Sequence, residues 1–265
     1  MRGEKLRHSV QKVVPSHHYE SDIYQSVEIY QTKNRFLSWY YWGRVTTAVG
    51  MLLDILESTR GGHALDLGCG SGMTLPTLQK CFVEVTAADV YTEHARRVIE
   101  LEGLEGVNLF ASDGGALPFE DESFDQVLLF DLLEHVEGNK GQVIDECWRV
   151  LRRGGYVACS FPVEVGPVVF LRQVGRRLFG FEGNRQGVVE TLAHAVGVGR
   201  PPTRGRFDEV AETDPHDNAH RGYNYKVDLV DLKRRFESVS ARTVPFRHIG
   251  FLSPAYVFIG RKPPS

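Results

Sequence analysis

The run Ala64-Leu65-Asp66-Leu67-Gly68-Cys69-Gly70-Ser71-Gly72 constrains this chain more than any other. An apolar stretch holding one carboxylate leads into three glycines on alternate positions, and helix-compatible residues follow from Met73 to Lys80. That order predicts strand, tight turn and helix. It is the arrangement by which α/β proteins hold a nucleoside-bearing ligand at the carboxyl end of the first strand. Side chains in such a turn would block the approach of backbone to ligand, and the turn needs positive φ.

The spacing argues against a dinucleotide. A pyrophosphate-binding loop reads G-x-G-x-x-G, whereas here the sixth position is Met73 and the third glycine falls one residue early, at Gly72. Asp66 would also repel a pyrophosphate. The same charge suits a cationic ligand without phosphate. S-adenosylmethionine, with a sulfonium and an ammonium, is such a ligand.

From these residues the chain resembles the class I S-adenosylmethionine-dependent methyltransferases, with Ala64 to Gly72 as their first motif and the likeness running from about Met51 to Lys262. The resemblance implies a doubly wound, Rossmann-like α/β fold. Its sheet would have seven mostly parallel strands, with the last strand antiparallel beside the fifth.

The pattern along the chain agrees. Residues 1–20 are polar and read as a loose arm. Apolar positions at helical spacing predict two helices in 21–56, one on either side of Gly43, with Trp39, Tyr40, Tyr41 and Trp42 forming a helical cap on the sheet edge, the alternative being a substrate-facing lid. Strands are expected at 64–67, 83–88, 107–111, 126–130 and 156–161. Helices are expected at 93–102 and 142–151, the second stopped by Gly154-Gly155. Residues 164–222, rich in Gly, Pro and Arg, read as an insertion or lid after strand five. A helix at 226–236 and strands near 240–245 and 255–261, joined around Ser253-Pro254, close the chain. The organisation is thus an arm and cap over 1–60 and a cofactor-binding domain over 61–265.

Candidate site residues follow strand ends. Asp89 closes strand two, roughly 20 positions beyond the first glycine, where an acid can take both ribose hydroxyls of an adenosine. Val90 follows it and is counted with the cofactor side. The resemblance implies that Asp113, in Ser112-Asp113-Gly114-Gly115, meets the adenine amino group while the Gly114 N–H meets the ring. It also implies that Asp66 and Gly68 hold the methionine end, joined by Phe130 and Asp131. Gly70 belongs to the same loop, and it and Gly72 are read as serving close packing.

The run Asp131-Leu132-Leu133-Glu134-His135, if helical, places 131, 134 and 135 on one face. It resembles the E-x-x-E-H run of quinone-precursor O-methyltransferases and small-RNA 2′-O-methyltransferases, with Asp131 replacing Glu. Three readings stay open: a divalent cation, acid–base work by His135 with Glu134, or a structural role. His216 and His220 lie in a His-Asp run similar to one that faces substrate in the quinone-precursor enzymes, and are candidate partners of His135 or of a metal, with a solvated loop as the alternative.

Composition narrows the partners. A net charge of -3 gives no case for DNA binding. Cys69, Cys81, Cys147 and Cys159 show no zinc spacing and suit a reducing, cytoplasmic setting. The amino terminus has no apolar signal-like core, and no apolar run reaches membrane-spanning length. Residues 168–181 mix Arg172, Arg176 and Arg177 with apolar residues, which suits a lid or peripheral contact with a membrane. The expected activity is methyl transfer to a small, amphiphilic acceptor, at oxygen. The competing classes are an NAD-dependent oxidoreductase or sugar-nucleotide enzyme, and a non-catalytic interaction protein of the same fold.

Overall fold

Five short runs of Val, Leu, Ala and Phe, each ended by an acid, a glycine or a proline, are what a sheet buried on both faces requires. They become its parallel strands in the computed structural model, which describes residues 35–56, 61–136, 138, 140–178, 188–196, 223–244, 253 and 255–264. The elements in chain order are α1 (Arg35–Ile55), β1 (Gly61–Leu67), α2 (Leu75–Cys81), β2 (Phe82–Asp89), α3 (Glu93–Glu102) and β3 (Val107–Ala111). β4 (Phe124–Phe130), α4 (Lys140–Val150), β5 (Leu151–Pro162), α5 (Pro167–Leu178), α6 (Val188–Ala195), α7 (Tyr225–Arg235), β6 (Glu237–Val244) and β7 (Ala255–Arg261) follow.

The seven strands form one sheet in the order β3-β2-β1-β4-β5-β7-β6. β1 pairs in parallel with β2 and β4, β2 with β3, and β4 with β5. β7 alone runs antiparallel, inserted between β5 and β6 with Ser160 opposite Val257 and Ala241 opposite Phe258. The doubly wound fold with its antiparallel last strand is therefore as the sequence leads one to expect. The chain leaves β1 toward β2 and β3, then returns to β4 on the other side. Such a reversal opens a crevice beyond the carboxyl ends of the strands.

Two apolar layers cover the sheet. On one face Val45, Ala48, Val49 and Leu52 of α1 share a core with Ala64, Leu78, Val85, Ala95 and Ile259. On the other, Val143, Ile144 and Cys147 of α4 and Leu229 and Leu232 of α7 pack with Leu65, Val127, Val157 and Phe258. All four cysteines are buried and free.

Three local expectations need correction. Residues 35–55 form one helix, and Gly43 lies inside it instead of dividing two; the residues before 35 lie outside the described ones. Glycine weakens a helix interior by about 1 kcal/mol, but the buried Trp42, Val45, Ala48 and Leu52 hold this segment against β5, β6 and β7. Second, α4 ends at Val150 and Gly154-Gly155 fall within β5, where the register against β4 shifts between Phe124 and Gln126. A Cβ at Gly155 would stand 2.7 Å from the Asp125 carbonyl oxygen, so the pair marks a crowded strand irregularity. Third, residues 131–135 form a turn and not a helix.

A candidate active site at the carboxyl edge of the sheet

The alternate-glycine loop leaves β1 and is tied to β2 at once, because the N–H groups of Gly68 and Cys69 both donate to the Ala88 carbonyl, at 2.8 and 3.2 Å. Gly70 (φ 53°) and Gly72 (φ 75°) lie in the left-handed region. Their reasons differ. A Cβ on Gly72 would stand 2.9 Å from the Ala95 backbone, so α3 is seated directly on this glycine. A Cβ on Gly70 would meet nothing within 4 Å. The close-packing reading therefore holds for Gly72 and fails for Gly70, whose N–H instead donates to Asp89 Oδ2 at 2.8 Å.

Asp89 ends β2 and accepts a second backbone bond, from Tyr91 N–H at 3.0 Å. Two fixed donors leave its carboxylate oriented, with lone pairs to spare. Val90 beside it is exposed. Asp66, one residue before the end of β1, is buried at 2% exposure and takes a long bond from the Thr74 hydroxyl, at 3.4 Å. Burial pushes its carboxyl up to about 7, Thr74 opposes this, and the nearby Asp89 charge adds to it. A cation placed beside such an acid favours its ionised form. Asp113 lies two residues past β3, exposed, with Oδ1 accepting from Gly115 N–H at 2.9 Å. Gly114 is buried and donates to the Ser112 hydroxyl. Ser112 N–H donates to the Asp89 carbonyl, which joins this turn to the end of β2.

Beyond β4 the backbone turns sharply. Phe130 is half-buried, and Asp131 adopts φ 52°, rare for a residue with a side chain. Its carboxylate explains the strain. Oδ1 accepts from the Ser160 hydroxyl at 2.9 Å, and Oδ2 pairs with Arg44 of α1 at 2.6 Å. Sequence reasoning missed both partners. Arg44 had a signal, as the one charge between Phe36 and Leu53 of an apolar helix, which demands a partner. Ser160 had none.

With both oxygens engaged by a cation and a hydroxyl, Asp131 does not fit as a ligand for a divalent ion. Among the described residues no cluster of three or more His, Cys, Asp or Glu is placed to hold one. His216 and His220 lie outside the described residues.

Glu134 is buried, and its carboxyl stands well above the ordinary range, first through burial and then through the Asp131 charge, with Arg44 and Lys140 opposing. His135, half-buried, follows in the same turn, its N–H donating to the Leu132 carbonyl at 2.9 Å. Nearby, buried Asp228 at the start of α7 gathers the Tyr223 hydroxyl at 2.6 Å and Lys140 Nζ at 3.0 Å. Tyr223 is pushed up by burial and by the charges of Glu134 and Asp228. This Tyr223–Asp228–Lys140 group had no local sequence signal, because three elements assemble it. A groove of about 480 Å³ opens at the other end of the sheet, lined by Gly61, Gly62, Asp125, Arg152 and Tyr156. None of the candidate site residues reaches it, and its Asp125–Arg152 pair is satisfied internally at 2.6 Å.

Residues 65–159, from β1 to within β5, match the model of a methyltransferase domain. Over 131 residues it is 37% identical to the phosphatidylethanolamine N-methyltransferase of Cereibacter sphaeroides, covering 47% of this chain and 62% of that one. It is 39% identical over 114 residues to the demethylmenaquinone methyltransferase of Clavibacter sepedonicus, covering 41% and 45%. The chain spans about half the length of these curated relatives. The N-methyltransferase NodS of Bradyrhizobium japonicum WM9, solved with S-adenosyl-L-homocysteine, superposes with a TM-score of 0.56 at 14% identity, covering 99% of this chain and 98% of NodS. At that identity the likeness concerns the fold. The matched stretch contains Asp66, Asp89, Asp113, Asp131, Glu134 and His135.

Proposed function

We propose that this chain transfers the methyl group of S-adenosylmethionine to an oxygen of a small, amphiphilic acceptor. The observation that carries the reading is one of placement. Asp66, Asp89 and Asp113 stand at or just past the carboxyl ends of three adjacent parallel strands, around a loop that is open at Gly70, where the strand order reverses. Asp89 offers oriented acceptors for a ribose. In this reading Asp113 serves the adenine side, where the Gly114 N–H is donated to the Ser112 hydroxyl, and buried Asp66 beside Gly68 takes the cationic end. Phe130 and Asp131 border the methionine end.

The bound donor supplies an activated methyl group on a good leaving group. What remains for the protein is alignment and a competent nucleophile. Holding donor and acceptor in line is worth many kcal/mol. A phenol-like hydroxyl, with pKa near 10, needs a base. His135 takes that role in this reading, with buried Glu134 behind it as a positioning acid. The relatives' names, one a quinone-precursor enzyme and one a phospholipid enzyme, favour an amphiphilic acceptor.

The test is turnover. The purified chain is incubated with S-adenosylmethionine and a panel of quinol, catechol and phospholipid acceptors, and S-adenosylhomocysteine is measured. Acceptor-dependent formation supports the reading. Binding of NAD in place of S-adenosylmethionine refutes it.

A further inference from the structure

The two helices after β5 carry large apolar side chains on their solvent faces. In α5, Val168, Val169 and Gln173 are buried, while Phe170, Leu171 and Val174 are 46%, 50% and 36% exposed. In α6, Thr191 and His194 are buried, while Val189, Leu192 and Val196 just past its end are 82%, 52% and 78% exposed. The positions 170, 171, 174 and 189, 192, 196 follow helical spacing, so each helix turns an apolar stripe to solvent, α5 while burying Val168 and Val169 on its other side and α6 while burying Thr191 and His194. Surface helices of soluble domains do the reverse. α5 and α6 pack on each other, and the Gly166 N–H donates to the His194 carbonyl at 2.8 Å, so the stripes belong to one unit. Six large apolar side chains exposed on neighbouring helices mark a docking surface.

The occupant is indicated by charge. α5 carries three arginines and no acid, in a chain whose net charge is -3. A second copy seated by two-fold symmetry would bring the arginines of two such helices together. α6 adds one acid, Glu190, so the two helices together stay net basic, and apolar stripes on such a pair match an anionic lipid surface. α5 begins five residues after β5 ends, at the sheet edge that carries Asp131 and His135.

We infer that α5 and α6 together seat this protein on anionic bilayers, with the carboxyl edge of the sheet toward the lipid. The surface stands without methyl transfer; only its consequence, a lipid-soluble acceptor entering from the bilayer, rests on the proposed activity.

The experiment is co-sedimentation of the full chain with vesicles of phosphatidylglycerol and phosphatidylcholine in equal parts, against phosphatidylcholine alone. Wild type binds the anionic vesicles at least ~10-fold more tightly than the neutral ones. A triple variant, Leu171→Gln with Val174→Gln and Leu192→Gln, loses at least ~10-fold of that binding. These positions are exposed, so circular dichroism and calorimetric binding of S-adenosylmethionine stay as in wild type; that calorimetry also reports the cofactor reading separately. A double variant, Arg176→Gln with Arg177→Gln, weakens anionic binding and leaves neutral binding unchanged. The inference is overturned if wild type stays in the supernatant, if both vesicles bind equally, or if the triple variant binds as wild type. A wild-type dimer that the triple variant converts to monomer, without vesicle binding, also overturns it in favour of a second copy.

Discussion

Replacing Asp66 with asparagine isolates the electrostatics on which the cofactor reading depends. The buried carboxyl titrates near 7 in the folded chain and near 3.8 when unfolded. Below pH 4 both states hold the proton. Between about 4 and 7 the native state keeps a proton that the unfolded chain has lost, so stability falls as pH rises. Above 7 the whole penalty is expressed, ~4 kcal/mol at ~1.4 kcal/mol per pH unit. Asparagine keeps the shape and removes the titration, but buries an amide N–H pair that costs about 1–2 kcal/mol.

Asp66→Asn should therefore be slightly less stable than wild type below pH 4 and roughly 2 kcal/mol more stable at pH 8. Urea unfolding at several pH values measures the difference directly. A gap between the two proteins that stays constant from pH 5 to pH 8 would refute the reasoning. The same physics extends to the ligand. A cation beside Asp66 lowers its pKa, so binding of S-adenosylmethionine near pH 6.5 should release a large fraction of a proton. Calorimetry in buffers of different ionisation enthalpy reads that release.

Gly72→Ala should lose about 2–4 kcal/mol, because a Cβ there is strained in φ and stands 2.9 Å from the Ala95 backbone; thermal unfolding that matches wild type contradicts this seating of α3. Arg44→Met strands the Asp131 carboxylate, and about 1–3 kcal/mol of stability should go with it, since the pair is less than a fifth exposed. A parallel Asp131→Asn in the Arg44→Met background should recover part of that loss. His135→Ala should lower acceptor-dependent turnover by at least ~100-fold with affinity for S-adenosylmethionine unchanged; turnover within about threefold of wild type removes His135 as base.

The sequence carried the fold wherever local chemistry decided it. α3 begins and ends at 93 and 102 as expected, since a left-handed Gly103 closes it, and β3 spans 107–111 as expected. The strand-end acids Asp66, Asp89 and Asp113 were legible too, because glycines and turn residues flank them. What was hidden depended on distant partners. Asp131 holds a positive φ because Ser160 and Arg44 grip its side chain, 29 positions ahead in β5 and far behind in α1. Nothing within residues 131–135 betrays that, so helical spacing suggested a helix where the backbone turns. Gly154-Gly155 resemble a helix stop in sequence, yet the crowding of Asp125 against β5 makes them part of a strand. Burial of polar residues beneath α5 and α6 is likewise a tertiary fact; composition showed the arginines but not which face stayed wet.

The central claim is that strand-end carboxylates hold the ribose and the charged end of an adenosine-bearing cation. Calorimetric titration with S-adenosylmethionine, on wild type and on Asp89→Ala, tests it most directly. The account expects wild type to bind, and the variant, which loses the acceptor for Gly70 and Tyr91 along with the ribose contact, to bind at least ~100-fold more weakly. Equal binding by the two proteins, or wild type that takes NAD and ignores S-adenosylmethionine, would contradict it.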